Sequence, residues 1–147
     1  MTAPSRRARP RAAAGLLARR LALLALFEAE FRPGSAPAAL VRLATERAVP
    51  DAVRDHASAI VDGVGEHRAD LDARIAAEAP LIPVTELGRV ERTILRSALY
   101  EVLYSAATPS GETMRDAVSL ARIYAGDAAR RLVNGVLGSV SRSGGGA

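Results

Sequence analysis

The chain of 147 residues has no cysteine, no lysine and no tryptophan. Without cysteine there is no disulfide framework, no thiolate zinc site and no cysteine nucleophile. Aromatic residues are scarce: Phe27, Phe31, Tyr100, Tyr104 and Tyr124 are all there are. Long apolar runs are missing too. A membrane span needs ~20 consecutive apolar residues, and the best stretch, from Gly15 to Phe27, is cut by Arg19 and Arg20. The same two charges interrupt what would be the apolar segment of a secretory signal. The reading is a soluble, cytoplasmic protein with no membrane contact. No alternating strand pattern and no internal repeat occurs, so there is no strand for a glycine-rich phosphate loop or a nucleophile elbow to follow. Two histidines, His56 and His67, do not make a metal site. No carboxylate pair stands out as an acid–base couple. Asp51–Arg54, Asp70–Arg74 and Glu112–Arg115 read as ordinary exposed helical pairs. The sequence therefore gives no sign of an enzyme and calls for no cofactor or metal.

What remains is alanine, leucine and arginine. Strong helix formers outnumber β-branched and aromatic residues, which points to an all-α fold. One domain fits the length. All 20 basic residues are arginine, against 16 acids, for a net charge of +4. The excess is local. Arg6, Arg7, Arg9, Arg11, Arg19 and Arg20 fall within the first twenty residues, which contain no acid. The remaining 14 arginines face all 16 acids, so the body carries −2. A basic arm on a slightly acidic body suits a polyanion, most often nucleic acid.

Residues 1–11 read as a flexible arm and residues 12–142 as one helical domain. The Gly-rich stretch 143–147 reads as a disordered tail. Periodicity predicts about seven helices. The first runs over 12–31 and ends at Arg32-Pro33-Gly34-Ser35. A second covers 36–48. A third starts with Asp51 as its cap and loosens at Gly63 and Gly65. A fourth carries Leu71, Ile75 and Ala79. The longest stripe spans 84–104. Met114 to Tyr124 forms the sixth, closed by Gly126. Asp127 caps the last, which buries Val133, Val136, Leu137 and Val140. Gly135 sits inside that apolar pattern, where a glycine costs ~1 kcal/mol relative to alanine. Its presence predicts a close helix–helix approach.

Four ordered blocks carry a resemblance. Ala18–Phe31 (ARRLALLALFEAEF) resembles the first helix of the NusB transcription antitermination family, and Leu87–Tyr104 (LGRVERTILRSALYEVLY) resembles its central helix. Asp116–Tyr124 (DAVSLARIY) and Leu132–Val140 (LVNGVLGSV) resemble its last two. The resemblance implies a seven-helix fold of two packed helical subdomains and a non-enzymatic role. It implies pairing with the ribosomal protein NusE and binding of boxA-type single-stranded RNA in nascent ribosomal RNA transcripts. It also implies indirect engagement of the RNA polymerase elongation complex. Arg19, Arg130 and Arg131 match the family's RNA-contact positions, and the arm arginines with Arg20 complete the candidate RNA-binding set. Phe27 and Glu91 match positions on the partner side. The chain departs from the pattern in three places. The arginine cluster lies upstream of its usual place, Leu132 replaces an aromatic that would stack on a base, and Arg115-Asp116 replaces Asn-Glu. These departures keep open an alternative: a helical interaction or homodimerisation module that has lost specific RNA binding.

Overall fold

In the computed structural model, residues 8–105, 108 and 110–142 are described. The six α-helices are α1 (Ala8–Phe31), α2 (Ala36–Glu46), α3 (Asp51–Glu78), α4 (Arg89–Tyr104), α5 (Ser110–Ala125) and α6 (Asp127–Arg142). A 3₁₀ turn, Val84–Glu86, precedes α4. No strand occurs among the described residues. The first three helices pack on one another, as do the last three, and α1 and α3 join the two sets by packing on α4. One continuous apolar core results. Its α1 face is rich in alanine (Ala18, Ala22 and Ala25, all inaccessible) with Leu21 and Leu23 between them. Small side chains let neighbouring helices approach closely, while each fully buried leucine contributes roughly 1.5–3 kcal/mol.

Six helices replace the expected seven because α3 is continuous over 28 residues. Gly63 does not end it. This glycine faces α4, and a Cβ there would overlap the ring of Tyr100. It is the close-approach glycine of the fold, whereas Gly135 is not. Gly135 is exposed within α6, and a Cβ would meet no atom within 4 Å. The expectation of close packing at Gly135 is therefore corrected: it lies on the solvent side of an otherwise apolar spacing.

Helix ends differ from expectation for local reasons. Ser35 caps α2, its hydroxyl accepting from the Ala38 amide at 3.2 Å, with Pro37 in the first turn. The stripe over 84–104 breaks at Leu87 and Gly88, which are extended. The Glu91 carboxyl group folds over Gly88, and a side chain there would displace it. Asp51 lies inside α3 rather than at its cap, and Pro50 precedes it without a side-chain cap bond. Gly126, at φ +94°, separates α5 from α6, its amide donating to Ala121 and Arg122 carbonyls at 3.1 Å. Asp127 thus falls in the first turn of α6, where its charge favours the positive helix end.

Candidate functional site

The eight candidate arginines are sorted by the fold. Arg6 and Arg7 lie outside the described residues, and Arg9 and Arg11 belong to the opening turns of α1. Consecutive residues on a helix point about 100° apart, so Arg19 and Arg20 cannot share a face. Arg19 turns inward. Its Nε donates to Glu101 Oε1 at 2.9 Å and its Nη2 to Glu101 Oε2 at 3.1 Å. Its Nη1 reaches Asp116 at 2.7 Å, and Thr113 accepts from Nη2 at 3.3 Å. Glu112 stands at 3.5 Å. Arg19 is 6% exposed and Glu101 2%. His56 Nε2 lies 3.1 Å from Glu101 Oε2, tying α3 into the same network. Burial opposes the charged form of Glu101. Hydrogen bonds with His56 and Arg19, and the Arg19 charge, nonetheless hold its carboxyl below the ordinary value. Burial likewise opposes the Arg19 cation, and bonds to Glu101 and Asp116 raise its pKa above normal.

Arg20 points outward. Its Nε donates to the Tyr124 hydroxyl at 2.7 Å, and its guanidinium carbon lies 5.8 Å from that ring's centre. Tyr124 lies in the last turn of α5, two residues before the Gly126 turn, and the next helix carries Arg130 and Arg131 in its opening turns. Arg131 is exposed, and Arg130 stands 3.5 Å from Asp127. The Tyr124 hydroxyl is neutral, so it fixes Arg20 in place without cancelling its charge. Leu132 is half-buried against the core.

Toward the C-terminal end of α1, Phe27 packs at 4.8 Å on Phe31, a residue that is 55% exposed and whose ring lies under Arg89 at 4.4 Å. Glu91 follows on the first turn of α4. Phe31 and Arg89, which the sequence reading missed, link Phe27 on α1 to the first turn of α4, the turn that also carries Glu91. Both histidines, read as too few for a ligand set, make specific contacts: His56 with Glu101, and His67 stacked at 3.9 Å on Tyr104. Of the expected exposed pairs, Asp51–Arg54 forms at 3.5 Å. Arg74 pairs with Glu78 rather than Asp70, and Glu112 faces Arg19 rather than Arg115. Among the described residues no group of three or more His, Cys, Asp or Glu could hold a metal ion, and no helix is long and apolar enough to cross a membrane.

Comparison with known proteins places this geometry. The NusB family profile matches residues 16–142. The transcription antitermination protein NusB of Symbiobacterium thermophilum is 35% identical over 133 residues, covering 85% of this chain and 87% of that protein. Its counterpart from Kineococcus radiotolerans is 35% identical over 124 residues, covering 84% and 90%. Among solved structures, a complex of antitermination factors NusB and NusE with double-stranded RNA contains a chain 26% identical, with a TM-score of 0.80. That match covers 90% of this chain and 98% of the other. The fold of T. maritima NusB superposes with a TM-score of 0.81 at 24% identity, covering 97% and 93%. The chain belongs to the NusB family.

Proposed function

We propose that this protein is a non-enzymatic transcription antitermination factor that pairs with a NusE-type protein and binds boxA-type single-stranded RNA of nascent ribosomal transcripts. In this reading it reaches the RNA polymerase elongation complex only through that assembly. The observation that carries the proposal is the match of residues 16–142 to the NusB family, together with the likeness to a chain seen in complex with NusE and RNA. The surface geometry supports it. Arg20, held by Tyr124, and Arg130 and Arg131 at the start of α6 supply cations near the α5–α6 turn. Such residues contact phosphates and set register, leaving sequence choice to other contacts. Arg19 takes a different part in this reading. Its guanidinium is committed to Glu101 and Asp116, so it positions α1 beneath Arg20 rather than touching phosphate. Phe27 near the end of α1 and Glu91 at the start of α4 belong to the partner face.

The half-buried Leu132 favours a second reading, an interaction or homodimerisation module without specific RNA binding, because no ring stands there to stack on a base. Equilibrium binding of a boxA-type RNA, with and without the NusE-type protein, separates the two. The expected result is RNA binding that strengthens when the partner is present and weakens in an Arg20→Ala, Arg131→Ala double variant. Partner binding with no RNA binding under either condition establishes the second reading instead.

A further inference from the structure

A cleft of about 610 Å³ opens between α1, α3 and the first turns of α4. Its α4 wall carries Arg89, Arg92 and Arg96. All three guanidinium groups converge on one carboxylate, Glu30 at the end of α1, and none holds it closely. Arg92 Nη2 stands 3.4 Å from both Glu30 oxygens, Arg96 Nη1 at 3.6 Å and Arg89 Nε at 3.9 Å. Arg96 has its own counter-ion, gripping Asp72 bidentately at 2.6 and 2.9 Å. Glu30 is therefore left to serve both Arg89 and Arg92, one carboxylate for two cations. Arg92 Nε is buried and donates to nothing, alone among the buried side-chain nitrogens and oxygens described. A desolvated donor on a charged group is costly to leave unpaired. Both arginines also stand at the start of α4, where the free amides and the helix dipole add positive potential rather than offset it.

We infer that Arg89 and Arg92 form a socket for a carboxylate side chain of a protein partner, with Glu30 as its resident competitor. The opposite wall decides against a nucleic acid. Asp62, Glu66 and Arg68 are exposed there and together offer no continuous basic track for a phosphodiester chain, while the converging cations of α4 suit one compact carboxylate. Phe31, exposed beneath Arg89, offers an apolar contact beside the socket. The occupant is thus an acidic side chain next to an apolar one. The inference goes beyond the function proposed above and does not depend on it, because the socket recognises the carboxylate whichever protein presents it.

The test uses the full chain and follows the arginine Nε–H resonances by NMR. The probe is the blocked peptide acetyl-Glu-Leu-Glu-amide, with acetyl-Gln-Leu-Gln-amide as the uncharged control. The expected result is a saturable shift of the Arg92 Nε–H signal with the acidic peptide alone. Glu30→Gln, which removes the competitor, is expected to tighten peptide binding about tenfold, and Arg92→Gln to weaken it about as much, the scale of one charge-assisted hydrogen bond. Arg89→Gln alters a half-exposed side chain outside the core and is expected to weaken binding about threefold, within the range of partly exposed charge pairs. Absence of a saturable shift in the wild-type protein overturns the inference. So does a Glu30→Gln variant that binds the peptide no more tightly. A shift produced by a single-stranded oligoribonucleotide and not by the peptide overturns the carboxylate assignment in favour of phosphate.

Discussion

Arg19 and Arg20 are adjacent in sequence and opposite in physics. One is enclosed by Glu101, Asp116 and Thr113, and the other lies on the surface against Tyr124. Breaking a buried pair leaves an uncompensated charge, which costs roughly 3–5 kcal/mol. Glu101→Gln preserves volume, removes the bidentate partner and is expected to destabilise the fold by about that amount at neutral pH. The pH dependence has a definite sign. The Glu101 carboxyl is held below its ordinary value of 4.5 in the folded protein. Its contribution is therefore complete above that value and disappears as pH falls through the lower, folded-state value. Denaturant midpoints of wild type and variant should differ widely at pH 7 and converge as the solution is acidified below 4.5. A gap that stays constant across that range would remove the ion pair as its cause. Part of this cluster was legible in the sequence. Glu101 follows Ile94 and Ala98 at helical spacing, on a face that is otherwise apolar, and a charge on such a face asks for a buried partner. Which cation supplies it was not legible. Arg19 and Glu101 are 82 residues apart, and nothing local ties one to the other.

At the scale of the helices, glycines separate what periodicity reveals from what it cannot. The apolar stripes placed α2 and α6 close to their observed limits but started α1 and α5 four residues late, at 12 and 114 rather than at Ala8 and Ser110, because their first turns carry little apolar periodicity. A glycine inside a stripe is ambiguous. Gly63 looks like a break and is a contact, while Gly135 looks like a contact and faces solvent. Each stripe fixes which residues face inward, but the distance to the facing helix depends on residues elsewhere in the chain. At Gly63 the facing residue is Tyr100, whose ring lies in a stack with His67 and Tyr104. Alanine should therefore have opposite effects at the two sites. Gly135→Ala gains helix propensity of ~1 kcal/mol without a clash and is expected to stabilise by that much. Gly63→Ala gains the same propensity but overpacks Tyr100, at a cost of roughly 1–3 kcal/mol, so a net loss is expected. Urea midpoints moving in the same direction for both variants would contradict this assignment of contact and open surface.

Over the whole molecule, charge is distributed by function rather than evenly. The body beyond residue 20 carries −2, yet its arginines are mostly engaged: Arg42 with Glu28 and Glu46, Arg96 with Asp72, Arg54 with Asp51. Two groups of cations remain available to a ligand. Arg20 on α1 and Arg130 and Arg131 on α6 are, with the arm arginines, the candidate phosphate contacts. Arg89 and Arg92 face the cleft. This division predicts how RNA binding responds to salt. Each phosphate contact on a single strand contributes ~0.7 to the slope of log K against log salt concentration. If five of the seven candidates other than Arg19 (Arg6, Arg7, Arg9, Arg11, Arg20, Arg130 and Arg131) engage, the slope is roughly −3.5. Deleting residues 1–7 removes Arg6 and Arg7 and leaves α1, which starts at Ala8, untouched. It is expected to flatten the slope by up to about 1.4 and to weaken unrelated RNA sequences by similar factors, since phosphate contacts carry no sequence information. Arg19→Gln is expected to behave otherwise, lowering stability through the buried network before it alters the salt slope. A deletion variant with unaltered affinity and slope would show that Arg6 and Arg7 make no phosphate contacts. An Arg19→Gln variant that keeps its stability but loses about 0.7 of slope would return Arg19 to the RNA surface.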